Sequence, residues 1–436
     1  MFTEKQKKIM RYKLKIVAIF SCILMLFCTG CQTSGTSEND GGSEPPKKQN
    51  VLALPEEQDW IHTLTFNEES EKAWLQPIWY TREIYDESVV IIGEEGTANL
   101  LYEPKGKVIV RNYFIDEIYE EGVDFEINGK TIKRIDGGAL PYWKVDEYFI
   151  PTNNSGYGHL ADPDQLDFEL DGPRRLYYGE GTTLTRKQLL VSYRTDEMYD
   201  GPRIEGQSDR VAQALERIKV KGEGKMVFFG DSITEGYNAS GSNQGGNVNP
   251  HMPLWANLVT DRIAKTLYAD IECVNFGVAG RACAGGYESY ELEMAPVVAD
   301  TDILVIALGM NDGNTPPEIF KGLMNTMVSY YFKNKPDGAV VLVSSMLPNT
   351  QWKWRGNQSL FENELVSIAE SRENVAVAKV TQMFTQFEKV GKKTRDYLAN
   401  NINHPNDFAI RVYAQVILKT ILGDEFFAER YEEIPV

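Results

Sequence analysis

The stretch KMVFFGDSITEG, residues 225–236, sets four apolar residues in a row directly before Gly230-Asp231-Ser232. A short uninterrupted apolar run suits a strand buried on both faces, and Gly, Asp and Ser are residues that end a strand in a tight turn. The same pattern returns downstream. Apolar runs at 271–276, 303–308, 339–344 and 375–380 alternate with helical stretches at 254–267, 318–332 and 360–371, and a helix at 408–422 closes the pattern. Regular strand-helix-strand spacing predicts an α/β fold, a parallel sheet of about five strands wrapped by helices. In such sheets active groups gather at the carboxyl ends of the strands, which is where Ser232 falls. Alone, Gly-Asp-Ser is a weak signal, because any tight strand-to-helix turn favours these residues for backbone reasons.

Upstream the grammar is different. Between residues 52 and 193 the runs are short and β-like, at 88–92, 107–113 and 189–193, and Asn128-Gly129 between 125–127 and 131–133 reads as a two-residue hairpin turn. This predicts an all-β sandwich. A Gly- and Pro-containing bridge at 199–207 leads to Val211, Leu215 and Ile218 at helical spacing behind Ser208 and Asp209, so a helix is expected to join the two parts. The expected organisation is an export segment at 1–30, a flexible linker at 31–51, a β-sandwich domain at 52–205 and an α/β domain at 206–436.

The export reading rests on six basic residues, Lys5, Lys7, Lys8, Arg11, Lys13 and Lys15, ahead of an apolar run at 16–27. Twelve residues are too few for a permanent membrane span, which needs about twenty. The run ends in Cys28-Thr29-Gly30-Cys31, which resembles the lipobox of bacterial lipoproteins and implies lipidation at Cys31, although Cys28 stands where Leu or Val is more usual. The expectation is an exported, cell-surface protein that meets the membrane only through this anchor. The formal charge is −18, and removing a segment with six basic groups and one acid leaves −23. A chain so acidic repels nucleic acid and anionic headgroups. Outside the first 31 residues only Cys273 and Cys283 remain, too few for a disulfide scaffold, and no Cys/His cluster suggests a metal or another cofactor. Cys273 is expected as a buried free thiol on its strand.

Three more motifs follow Gly230-Asp231-Ser232 in order: Asn275-Phe276-Gly277-Val278-Ala279-Gly280, Gly309-Met310-Asn311-Asp312 and His404-Pro405-Asn406. Together they resemble the signature blocks of the SGNH (GDSL-like) hydrolases over residues 225–422. The resemblance implies a flavodoxin-like hydrolase domain, here behind a jelly-roll-like sandwich as in two-domain carbohydrate esterases. It assigns Ser232 as nucleophile and His404 as general base and acid, with an oxyanion hole from the backbone N–H groups of Ser232 and Gly280 and the Asn311 amide. The chemistry agrees: a serine hydroxyl needs a base to take its proton, and preorganised donors stabilise the oxyanion. Of the other three histidines, His62 and His159 lie in the β region and His251 stands early in the stretch after the serine.

One position departs from the family. An aspartate usually stands three residues before the histidine, and here that residue is Asn401. Three arrangements are compatible with this: a Ser-His dyad with His404 held by Asn401 or a carbonyl, an acid from elsewhere such as Asp396 or Asp407, or an attenuated enzyme. Asp231 and Asp312 read as turn-capping residues. Arg281, Trp352 and Trp354 are candidates for substrate binding, since aromatic faces stack on sugar rings; Trp255 and Arg355 lie on neighbouring segments. The expected activity is hydrolysis of a small acyl ester, acetyl foremost, on a carbohydrate. Its rivals are a lipase, lysophospholipase or thioesterase of the same fold, against which the polar loop 239–250 argues, and a non-catalytic glycan-binding surface protein.

Overall fold

The computed structural model describes residue 71, residues 73–154 and residues 158–423. The export segment 1–30, Cys31, the linker 31–51 and His62 lie outside the described residues.

The first part of the described chain is β-rich. Strands β1 (Glu83–Val90), β2 (Thr97–Asn99), β3 (Lys105–Asn112), β4 (Ile118–Tyr119), β5 (Phe125–Asn128), β6 (Thr131–Arg134), β7 (Phe149–Pro151), β8 (Gly158–Leu160), β9 (Arg174–Tyr177) and β10 (Gln188–Arg194) form antiparallel sheets. Their orders are β1-β10-β3-β4, β2-β6-β5 and β7-β9-β8. The expected hairpin is present, but its turn is one residue later than Asn128-Gly129. Asn128 pairs with Thr131, so Gly129 and Lys130 form the loop, and only Gly129 takes a positive φ, 55°. A glycine at the first loop position meets that need without a Cβ penalty.

Helix α1 (Ser208–Lys221) joins this part to a parallel sheet of β11 (Glu223–Gly230), β12 (Asp270–Gly277), β13 (Ile303–Ala307), β14 (Ala339–Val343) and β15 (Val375–Ala378). The order β12-β11-β13-β14-β15 is the flavodoxin-like arrangement, whose direction reverses beside the first strand. Every residue of β13, β14 and β15 is buried, as their unbroken apolar runs require. Strand β12 differs from expectation. It lies at one edge of the sheet with Asp270, Glu272 and Asn275 exposed, and Cys273 is only half-buried; Cys273 and Cys283 are both free thiols.

Helices α2 (Trp255–Leu267), α3 (Cys283–Met294), α4 (Pro317–Asn334), α5 (Phe361–Glu370), α6 (Val380–Lys389) and α7 (Asp407–Leu422) complete this half. In α7 all residues from Asp407 to Ile421 are buried, so its polar side chains as well as its apolar ones must find partners inside the protein. Its Arg411 guanidinium donates to the carbonyls of Tyr85 (3.0 Å) and Asp86 (2.7 Å) at a bulge of β1, and Gln415 donates to Trp74 O at 2.9 Å. One apolar core runs through Val89 and Val191 of the β-rich part, Val412 and Ile417 of α7, and Met226 and Phe228 of β11.

Candidate active site

The registers of the parallel sheet align the carboxyl ends of β11, β12 and β13, with Gly230 beside both Gly277 and Ala307. The loops that leave these three ends carry Ser232, Gly280 and Asn311. Gly230 is glycine for want of room, since a Cβ there would stand 2.1 Å from Thr234 Oγ1 and 2.6 Å from Ala307 O. Asp231 then caps the helical turn Ser232–Glu235, its carboxylate accepting from Ile233 N–H at 2.9 Å. Burial pushes this carboxyl up to about 7, against the hydrogen bond from Ile233. Ser232 is therefore the first residue of a helical turn, with its N–H free of an intrahelical acceptor by position.

The loop after β12 is clamped to that turn. Asn275 Nδ2 donates to Thr234 O at 2.6 Å, Asn275 Oδ1 accepts from Gly277 N–H at 2.8 Å, and Glu235 Oε2 accepts from Ala279 N–H at 2.6 Å. These bonds fix Gly280, whose φ of 74° with open space beside its Cα suits glycine. Asn311 donates one amide hydrogen to Arg281 O at 3.2 Å, leaving the second for a ligand oxygen. Asp312 accepts from Cys283 N–H with both oxygens at 2.9 Å and so caps α3. Burial raises the Asp312 carboxyl despite these bonds.

His404 lies 172 residues after the serine, yet its Nε2 stands 2.9 Å from Ser232 Oγ. The loop that delivers it is built by Asn400, whose Oδ1 accepts the N–H groups of Ile402 (3.0 Å), Asn403 (2.9 Å) and His404 (2.9 Å). The ring is buried and leans on Tyr237, with centroids 5.1 Å apart. On its far side Nδ1 meets Glu180 Oε2 at 3.0 Å and Asn238 Oδ1 at 3.0 Å.

Asn401 is not part of this arrangement, which corrects the expectation that it orients the histidine. Its φ is 67°, and this left-handed backbone sends the amide into the protein, where Oδ1 accepts from Tyr148 Oη and from Asn349 Nδ2 (2.8 Å) while Nδ2 donates to Tyr177 O (2.9 Å). Asp396 and Asp407 are also engaged elsewhere. Asp396 accepts from Val90 N–H at 2.8 Å, and Asp407 from Ser240 N–H at 2.9 Å. Glu180, the residue that does face Nδ1, was not singled out from the sequence. It belongs to the β-rich part, just after β9, and no motif or spacing relates it to a histidine 224 positions away.

Arg281 is likewise corrected as a substrate contact. Its guanidinium is buried and used internally, donating to Phe276 O (2.6 Å), Gly230 O (3.3 Å) and both Glu293 oxygens (2.8 and 2.9 Å), and it lies 4.3 Å from the Phe229 ring centre. It ties the strand ends together. Trp255 donates to Ile233 O at 3.0 Å from a fully buried position, and Arg355 pairs with Glu388. Trp352 is half-buried and packs edge-on against His159, which packs edge-on against Tyr178, whose hydroxyl donates to Glu180 Oε1 at 2.5 Å. That series links Trp352 to the residues around His404. Trp354, by contrast, is 60% exposed, and the cation on Lys353 is 5.8 Å from its ring. Among the described residues no group of three or more His, Cys, Asp or Glu side chains could hold a metal ion.

Residues 228–409 match the model of the GDSL-like Lipase/Acylhydrolase family. No curated protein matches the chain. Among solved structures, the chain is similar to a two-domain esterase (CEX) active on acetylated mannans, co-crystallised with mannopentaose, at 22% identity and a TM-score of 0.39. That likeness covers 53% of this chain and 56% of the other, so it spans little more than half of the two-domain protein. A lipase/acylhydrolase from Enterococcus faecalis is similar at 22% identity and a TM-score of 0.35, over 47% of this chain and 96% of that one.

Proposed function

We propose that this chain, whose residues 228–409 match the GDSL-like lipase/acylhydrolase family model, is a carboxylic ester hydrolase, a serine esterase that removes small acyl groups from a carbohydrate. The observation that carries the proposal is the 2.9 Å contact between Ser232 Oγ and His404 Nε2 at the carboxyl end of β11. In the proposed reaction His404 Nε2 takes the hydroxyl proton as Oγ attacks the ester carbonyl carbon. The resulting oxyanion accepts hydrogen bonds from Ser232 N–H, Gly280 N–H and the second amide hydrogen of Asn311. Collapse expels the sugar alcohol, protonated by His404. Water, deprotonated by the same nitrogen, then cleaves the acyl-serine and frees the acid.

The carbohydrate part of the reading draws on the Trp352, His159 and Tyr178 rings close to Glu180, on which a sugar face can stack, and on the polar loop 239–250. The acidic chain leaves nucleic acid an unfavourable partner. Export with a lipid anchor at Cys31 belongs to the same proposal and draws on the sequence of residues 1–31 alone. The test compares hydrolysis of p-nitrophenyl acetate and p-nitrophenyl octanoate by the wild type and by Ser232→Ala. The expected result is a preference for acetate and a loss of at least about 10⁴-fold in kcat in the variant. Preference for octanoate would favour a lipase or thioesterase, and activity indifferent to Ser232→Ala would overturn the nucleophile and with it the proposal.

A further inference from the structure

Resting on the Ser-His reading above, we infer that Glu180, supplied by the β-rich part of the chain, is the acid that positions His404 and stabilises its charged form, so that the two parts of the chain build one catalytic centre. The family's usual acid position holds Asn401, whose amide oxygen and nitrogen are occupied by Tyr148, Asn349 and Tyr177. The place beside Nδ1 is instead filled by Glu180 Oε2 at 3.0 Å and Asn238 Oδ1 at 3.0 Å.

One hydrogen on Nδ1 faces two acceptors, and their charge decides between them. A carboxylate oxygen accepts a hydrogen bond roughly twice as strong as that of a neutral carbonyl and gains further when the ring becomes an imidazolium. Asn238 has a supporting place in this geometry: its Nδ2 donates to Gly181 O at 3.3 Å and so ties the loop holding Glu180 to the loop after the nucleophile.

The carboxylate is fixed at its other oxygen as well. Glu180 Oε1 accepts from Tyr178 Oη at 2.5 Å and from Asn400 Nδ2 at 3.1 Å. Burial would raise this carboxyl, but the hydrogen bond and charge of His404, with the bonds from Tyr178 and Asn400, hold it below the usual glutamate range. It is therefore ionised at neutral pH. Asn400 serves both ends of the pair, since its Oδ1 bonds the His404 N–H while its Nδ2 bonds Glu180.

The other groups around the pair do not compete for this role. Ser232 lies on the opposite ring nitrogen, Tyr237 packs on the ring, and Asp231, whose field also reaches His404, is engaged in capping the serine turn. His159 faces Glu180 at longer range, its imidazole pushed down by burial and drawn up by that carboxylate. In the reaction the proton leaves Oγ for Nε2, the Nδ1 hydrogen stays on the ring, and Glu180 remains ionised throughout. The Nε2 proton then passes to the departing alkoxide.

The experiment measures kcat, KM and the pH profile of full-length wild type, Glu180→Gln and Glu180→Asp with p-nitrophenyl acetate. In parallel, proton NMR follows the far-downfield Nδ1–H resonance of His404, assigned by its loss in His404→Asn. Glu180→Gln keeps the shape but not the charge. It is expected to lower kcat by about 10²–10⁴-fold with KM within about threefold, and to shift the acidic limb of kcat/KM to lower pH. The downfield resonance should disappear, and Glu180→Asp should recover at least about tenfold of the lost kcat. A residue needed only for packing would move the melting temperature and leave the pH limb in place. A Glu180→Gln enzyme within threefold of wild type, or a resonance unchanged in it, overturns the inference. Should the wild type show no Ser232-dependent hydrolysis, the esterase reading fails separately, and the resonance alone still decides whether Glu180 pairs with His404.

Discussion

Replacing Asn401 by aspartate supplies the residue that the hydrolases this chain resembles usually carry three positions before the histidine, and the structure predicts that this costs stability and adds no activity. Aspartate tolerates the left-handed backbone at φ 67°, so the main chain is not the obstacle. The losses lie in the side chain. The hydrogen bond from Asn401 Nδ2 to Tyr177 O, 2.9 Å long, is replaced by an oxygen facing an oxygen. Losing that bond costs about 1 kcal/mol, and leaving Tyr177 O and a buried carboxylate oxygen without a donor costs about 1–3 kcal/mol more. Tyr148 and Asn349 would still donate to the remaining oxygen, with a strengthened bond that offsets part of this. The net is a destabilisation of about 2–3 kcal/mol, read from the denaturant midpoint at unchanged slope. Turnover of p-nitrophenyl acetate below the unfolding transition should stay within tenfold of wild type, because Nδ1 of His404 already has its acceptors. An increase of tenfold or more in kcat, or no loss of stability, would refute the argument: it would mean that the side chain of residue 401 reaches the imidazole.

Two other substitutions probe different parts of the centre. Asn311→Ala removes one donor to the developing oxyanion and should lower kcat by about 10²–10³-fold with KM nearly unchanged; equal kcat would remove Asn311 from the oxyanion hole. Asp407→Asn tests a buried carboxyl that burial pushes up to about 6, against hydrogen bonds from Ser240. Because the folded group stays protonated where the unfolded one ionises, wild-type stability should fall as pH rises from about 4 to about 6 and level off above, a loss on the order of 3 kcal/mol. The asparagine variant should escape that loss, and denaturant midpoints of both proteins at pH 4, 5, 6 and 7 would show a constant difference if the reasoning is wrong.

The α/β half was legible because its strands carry their signal in consecutive residues. The apolar runs at 226–229 and 303–308 became β11 and β13, and the stretches at 254–267 and 408–422 became α2 and α7, with ends shifted by no more than three residues. Helices α3 and α6 were not anticipated. The first, CAGGYESYELEM, has almost no apolar periodicity, and its start is fixed by Asp312 from another loop. Ser232, Gly280, Asn311 and His404 could be picked out because each sits in a local motif at a strand or helix end. Asn401 misled for the same reason: its spacing from His404 is visible in the chain, but the direction of its side chain depends on a left-handed backbone angle. Glu180 carries no local signal at all. Its position is set by sheet packing and by Asn400, Tyr178 and Asn238, none of which is near it in a recognisable pattern except Tyr178.

The covering of α7 on all sides has a practical consequence for anyone dividing this protein. His404 stands three residues before that helix, and α7 rests on β1 through Arg411 as well as on the parallel sheet. A fragment cut near residue 205 would strip water-shy side chains of their cover and loosen the very segment that presents the imidazole. Putting a foreign domain in place of the β-rich part would therefore be expected to abolish the proposed hydrolysis rather than redirect it.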